Sequence, residues 1–175
     1  MIIVYTGNGK GKTSAALGTV LRTSGYAEKS CIIQFIKDGS QYGEHYAVQH
    51  YLNDLVDMFQ AGKGFYKIAG DKFEETDHKR AAAEAMELAR RILRSKEYDL
   101  IVLDEILTAG MVKLIDEKEI IDLIHAVPDT VHCILYRPGS RAEYYKNCGP
   151  GNGYAGNKAP VPAEKARTRR DRLLI

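Results

Sequence analysis

Short apolar runs alternate with longer stretches in which apolar residues recur every three or four positions. Residues 2–5 (Ile-Ile-Val-Tyr) are apolar throughout and read as a buried strand. Lys12 to Ser24 reads as a helix, with Ala15, Ala16, Leu17, Val20 and Leu21 as its apolar stripe. Cys31 to Ile36 is a second strand and Leu55 to Phe59 a short third. Asp71 to Ser95 is a long amphipathic helix whose inner face carries Ala81, Ala82, Ala85, Leu88, Ala89 and Leu93. Leu100 to Leu103 is a strand running into Asp104-Glu105; Glu117 to His125 is a short helix, and Thr130 to Leu135 a last strand. Strands alternating with helices predict an α/β fold with right-handed crossovers and a mostly parallel sheet covered by helices on both faces.

The turn between the first strand and helix carries the strongest chemical signal. Thr6 to Ala16 reads TGNGKGKTSAA. A phosphate-binding loop has Gly, four residues, then Gly-Lys-Ser/Thr. Here Thr6 stands where that first Gly belongs, and Gly7 comes one place late. The physical requirements are still met. Gly7, Gly9 and Gly11 let the backbone approach an anion without a Cβ in the way, and the helix start adds partial positive charge. Lys12 supplies a point charge, and the Thr13 hydroxyl is placed to ligate Mg²⁺. At the end of the fourth strand, Asp104 and Glu105 stand where open α/β sheets bind ligands, and jointly they are candidates to hold the same cation. These features predict a P-loop NTPase-like fold binding a nucleoside triphosphate with magnesium. They do not separate hydrolysis, phosphoryl transfer and attack elsewhere on the nucleotide.

Composition adds limits. The length of 175 residues suits one domain. No apolar stretch approaches the roughly 20 residues that span a bilayer, and no signal-peptide pattern is visible. Cys31, Cys133 and Cys148 are few and lack CxxC spacing, so a reducing, cytoplasmic setting is expected. The five histidines show no metal-ligand spacing. The net charge of +2 is unevenly spread: residues 136–175 carry +6 and the rest −4. An acidic body without a basic stripe counts against a P-loop ATPase acting on nucleic acid.

The string Tyr5-Thr6-Gly7-Asn8-Gly9-Lys10-Gly11-Lys12-Thr13 resembles the corrinoid adenosyltransferases of the P-loop type. The resemblance continues through Gln34-Phe35-Ile36-Lys37, Gly43-Glu44, Gly62-Lys63-Gly64-Phe65 and Tyr98 to Glu105. It covers about residues 2–135. It implies an enzyme of adenosylcobalamin biosynthesis or salvage, in which Co(I) of a reduced corrinoid attacks the ribose C5′ of ATP and triphosphate leaves. Loop amides, Lys12 and Mg²⁺ then stabilise charge growing on the leaving group. Because the nucleophile is the substrate's cobalt, no catalytic His or Cys is expected. By the family pattern Gly7 to Thr13 bind the triphosphate, Thr13 and Glu105 coordinate Mg²⁺, and Phe65 lies near the corrin. A family Trp two positions after that Phe is Lys67 here. Lys37 and Glu44 are further candidates to line the site. The resemblance also implies an electron donor such as a flavodoxin-like protein and a possible homodimer, and the chain lacks the N-terminal extension with which longer relatives cover the corrin.

From Tyr136 the resemblance stops, giving a body of residues 1–135 and an atypical tail of 136–175. The family expects Thr-Gly-Arg-Gly after the last strand, then a helix and a strand containing Ala-Asp-Leu-Val-Thr. The tail instead holds four of the five prolines. One reading is a basic segment contacting nucleic acid or acidic lipid through Arg167, Arg169, Arg170 and Arg172. The favoured reading is a frameshift. With suitable synonymous codons, residues 136–140 read one base later spell Thr-Gly-Arg-Gly-Ala. Residues 147–152 spell Ile-Ala-Asp-Leu-Val-Thr, and the last residues spell Gly-Ile-Asp-Tyr and a stop. One inserted base near Leu135–Tyr136 accounts for this order. The expected consequences are a poorly packed or disordered tail, a bared sheet edge, and a protein of reduced stability and activity, in the limit a Mg·ATP-binding remnant.

Overall fold

The computed structural model describes residues 1–7, 10–40, 42–64, 66–67 and 71–137. The tail beyond Arg137, and with it the expectation about its order, lies outside the described residues. Among the described residues five strands form one sheet: β1 (Ile2–Thr6), β2 (Ser30–Gln34), β3 (Val56–Gln60), β4 (Leu100–Asp104) and β5 (His132–Arg137). Their spatial order is β1-β5-β4-β2-β3, and all four pairings are parallel. The helices are α1 (Lys12–Ser24), α2 (Gly43–Ala47, continued by a π turn over Val48–Leu52), α3 (Glu75–Ser95), α4 (Ile106–Met111) and α5 (Glu117–His125).

The period-two alternation of strand side chains divides the core. Cys31, Ile33, Ile101, Leu103, Cys133 and Leu135 point to one face, where α3, α4 and α5 cover them. Ile32, Leu100, Val102, Ile134 and Tyr136 point to the other, under α1 and the π turn. Both faces are thus buried, which is why the central residues of the inner strands β2, β4 and β5 form continuous apolar runs rather than alternating. On α3 the alanines Ala81, Ala82, Ala85 and Ala89 are buried with Met86, Ile92 and Leu93; side chains this small let the helix lie close to the sheet.

The pattern reading and the structure differ at several places. On α1 the buried residues are Ala16, Val20 and Thr23, whereas Ala15 and Leu21 face outward. Thr23 reaches the inner face because its hydroxyl donates to the Thr19 carbonyl at 3.0 Å and so needs no solvent. The second strand stops at Gln34, not Ile36. Phe35 and Ile36 are buried; the Phe35 amide still bonds β4 at the Asp104 carbonyl, and it is one residue later that the backbone turns to a loop, the Ile36 carbonyl accepting from the Gly64 amide. Helix α3 starts at Glu75 because the Asp71 carboxylate is used in the loop, accepting from the Lys67 and Phe73 amides. The last strand runs two residues past Leu135, so Tyr136, assigned by sequence to the tail, is only 1% exposed in the core. Helices α2 and α4, of five and six residues, have no sequence pattern long enough to announce them.

Cys31 and Cys133 are both buried thiols. Burial, and then the neighbouring Asp57 charge, push the Cys31 thiol far above the ordinary thiol range. Native protein treated with iodoacetamide near neutral pH should therefore leave the Cys31 and Cys133 peptides unmodified, and both should label in denaturant. Rapid native labelling at either, read by peptide mass spectrometry, would contradict this core.

Candidate functional site

All strands run the same way, so their carboxyl ends share one edge of the sheet. The residues there come from four elements. Gly7 and Gly11 frame the loop after β1 with φ of 128° and 107°. These left-handed values, rather than lack of space, require glycine, since a Cβ at either position would meet nothing within 4 Å. Lys10 is exposed. Lys12 folds back over the loop and its Nζ donates to the Gly7 carbonyl at 2.8 Å. The first turn of α1 holds no acidic residue, and Gly11, at its N-cap, supplies no capping side chain. A helix start of this kind carries partial positive charge suited to an anion. Asn8 and Gly9 lie outside the described residues.

Thr13, in the same turn, faces the sheet. Its Oγ1 lies 3.4 Å from the hydroxyl of Tyr136, which donates to it. Asp104 at the end of β4 is 1% exposed and accepts from Gln34 Nε2 at 2.7 Å. Tyr136, Asp104, Gln34 and Thr13 line one small cavity beneath α1. Asp104 Oδ1 and Gln34 Oε1 have no hydrogen-bond partner among the described residues. Burial raises the Asp104 pKa above the usual carboxylate value, against the opposing bonds from Tyr136 and Gln34.

Glu105 is placed differently. It holds φ 63°, an uncommon backbone state for a residue with a side chain, at the start of α4. That turn takes its carboxylate out of the strand's alternation. Glu105 is half-buried, accepts from the Thr108 hydroxyl and feels the charge of Lys12. Burial raises its pKa, the Thr108 bond and Lys12 oppose the rise, and the Asp104 charge adds to it. So the two acids that sequence treats as a pair have separate environments. Asp104 belongs to a buried polar network, and Glu105 faces the loop.

A second cluster flanks this one beyond β2 and β3. Lys37 Nζ and Glu44 Oε1 form an ion pair at 2.6 Å, with both side chains about four-fifths buried. Burial alone would raise the Glu44 pKa, but the Lys37 bond and charge outweigh it and hold the carboxyl below its usual value. Lys37 also lies over the Tyr42 ring, 4.9 Å from its centroid. Gln60 Nε2 donates to the Ser40 carbonyl at 3.0 Å and lies 3.2 Å from His45 Nδ1. The segment before Phe65 is clamped onto this cluster. The Gly62 and Gly64 amides donate to the Lys37 and Ile36 carbonyls, and a Cβ on Gly62 would stand 2.2 Å from the Ile36 carbonyl carbon. Phe65 itself lies outside the described residues.

Residues 1–142 match the family described as ATP:corrinoid adenosyltransferase BtuR/CobO/CobP. The chain belongs to this family. Among adenosyltransferases of known name, it is 29% identical to the corrinoid adenosyltransferase of Sinorhizobium sp over 136 residues, which is 77% of this chain and 62% of that one. It is 30% identical to that of Escherichia coli K12 over 128 residues, 73% of this chain and 62% of the relative. It is 31% identical to the corrinoid adenosyltransferase CobA of Salmonella typhimurium over 132 residues, again 73% and 62%. The chain thus spans about three fifths of the length of these adenosyltransferases. Its five parallel strands, with helices on both faces, are an α/β fold of the P-loop NTPase-like kind that the sequence predicts.

The sequence reading missed Tyr136, which it assigned to the tail, and gave Gln34 no role beyond a motif. The signal for both was present. Continuing the alternation of β2, β4 and β5 to their true ends places Gln34, Asp104 and Tyr136 on the face that α1 covers. The Gly62 contact also explains the glycine of the Gly62-Lys63-Gly64 motif by space. Gly62→Ala should cost about 2–3 kcal/mol through overpacking against backbone that cannot yield, lowering Tm by roughly 5–10 °C for a chain of this size. A Tm within 1 °C of the native protein, by circular dichroism, would rule out this close approach.

Proposed function

We propose that this chain transfers the 5′-deoxyadenosyl group of ATP to the Co(I) centre of a reduced corrinoid, releasing triphosphate, as a step in adenosylcobalamin biosynthesis or salvage. The observation carrying the proposal is a loop with an uncapped helix start, a folded-back Lys12 and a half-buried Glu105, in a chain of this family. The cobalt electron pair forms the bond to C5′ as the C5′–O bond breaks, and the departing electron pair stays on triphosphate. The protein therefore has to grip all three phosphates and leave carbon accessible. Loop amides from Gly7 to Thr13 and the Lys12 ammonium supply that grip, already oriented before the charge develops. Lys12 would exchange the Gly7 carbonyl for a phosphate oxygen.

The donor set fits magnesium. Among the described residues no three His, Cys, Asp or Glu side chains cluster as a complete metal cage. Mg²⁺ is commonly held by one or two carboxylates with substrate phosphates and waters. We assign Thr13 and Glu105 as the groups that would hold it, with Asp104 behind them. Bound there, the cation would neutralise phosphate charge. Lys37 and Glu44 border the site on the β2 side, and Phe65 remains the candidate for the corrin face. The reaction requires a reductant for cobalt, for which a flavodoxin-like donor is proposed, and the protein is proposed to act in the cytoplasm as a homodimer. Among the described residues no helix is long and apolar enough to cross a membrane.

A second reading, a Mg·ATP-binding remnant with little turnover, is favoured by one observation: among the described residues β1, the strand that carries the loop, is paired on one side only. Anaerobic incubation with ATP, Mg²⁺ and chemically reduced corrinoid separates the readings. Adenosylated product with stoichiometric triphosphate is expected. Nucleotide binding without product would leave the remnant, and orthophosphate release stimulated by nucleic acid would reject both. Lys12→Ala should weaken ATP binding about 10- to 100-fold, the loss of a charged hydrogen bond, with a parallel loss of turnover. Unchanged affinity in calorimetry would remove the loop from the site.

A further inference from the structure

We propose that Tyr136 is a positioning residue for the Thr13 hydroxyl. Its phenol group spans Thr13 and Asp104, turning the threonine oxygen toward the cation that accompanies the triphosphate. The inference rests on the reading of Thr13 as a magnesium ligand.

Three features carry it. The Tyr136 hydroxyl is 3.4 Å from Thr13 Oγ1, and both side chains line one small cavity with Asp104. The ring is fixed, being 1% exposed on the α1 face of β5 and held by the parallel pairing of Tyr136 with Tyr5. Asp104, in turn, is anchored by the 2.7 Å bond from Gln34 and retains an unsatisfied oxygen. A hydroxyl that ligates a cation offers it a lone pair, so its proton must point to an acceptor on the opposite side. Tyr136 can be that acceptor. A phenol O–H rotates freely, so Tyr136 can stop donating to Thr13 and donate to the Asp104 carboxylate instead. The resulting chain runs from the Thr13 hydroxyl to Tyr136 to Asp104, with every proton directed away from the cation. Asp104 thereby acts at one remove, and Glu105 supplies the nearer carboxylate.

The full chain can be titrated with ATP by calorimetry, once in Mg²⁺ and once in EDTA. The readout is the ratio of the two Kd values, the affinity gained through the cation. Tyr136→Phe keeps the ring and removes the bridge. It should lower the gain about threefold to tenfold, the range for one hydrogen bond, while Kd in EDTA stays within twofold. In a Thr13→Val background the same change should have no further effect on the gain, because the pathway ends at Thr13. Should Tyr136→Phe prove too unstable to purify, Tyr136→Phe with Asp104→Asn removes the buried charge together with its donor, and the same loss is expected. An unaltered gain in Tyr136→Phe, beside a Thr13→Val variant that has lost it, would overturn the bridge and leave the magnesium assignment standing. Equal weakening with and without Mg²⁺ would overturn it in favour of packing alone. A Thr13→Val variant that keeps the full gain would overturn the assignment of Thr13 itself, and the bridge with it.

Discussion

The site depends on the parallel register of the sheet. Gln34 pairs with Asp104 and Gln60, and Tyr5 with Tyr136, while Leu103 is level with Leu135. Because all strands point one way, those ladder positions place the loop after β1, the acids after β4 and the polar ends of β2 and β3 along one edge. A shift of one residue in any strand would turn its terminal polar side chain to the opposite face. Gln34, Asp104 and Tyr136 would then lie under α3 and α4, away from Thr13. The apolar residues behind them, buried on both faces, hold the register, so the core and the site are specified by the same pairing.

On that edge the protein separates polar groups by depth. The buried layer of Gln34, Asp104 and Tyr136 contacts α1 from beneath. The upper layer of Lys12, Glu105, Lys37 and Glu44 is partly exposed and holds the charges available to a substrate. Burying a carboxylate such as Asp104 is costly unless hydrogen bonds compensate, and here the compensation is incomplete. An arrangement that leaves buried oxygens unsatisfied is more readily understood as part of a binding site than as a contribution to stability. The left-handed backbone of Glu105 fits the same view: it costs energy locally, yet it takes the second acid of a consecutive pair to a different depth from the first.

Beside this centre, the Gly62 contact shows a purely steric constraint serving function. The chain crosses so close to Ile36 that no side chain fits, and two amides of that segment bond carbonyls of the Ile36–Lys37 backbone. Two motifs 28 residues apart, the one at Gln34 and the one at Gly62, are thereby joined into one wall.

The sequence alone determined the α/β class, the parallel sheet with two covered faces and the family. Those properties follow from local periodicity and from contiguous strings such as Thr6 to Thr13. It also located most elements to within a few residues. What it left undecided depends on where strands end and which way terminal residues point. Apolarity reports burial and not pairing, so Ile36 read as strand although its carbonyl bonds a loop amide, and Tyr136 read as tail although it is core. Tertiary structure alone divided Asp104 from Glu105, since a backbone dihedral and neighbours from α1, β2 and β5 set their depth. It alone brought Tyr136 to Thr13, 123 residues apart in the chain, because only pairing across the sheet carries one to the other.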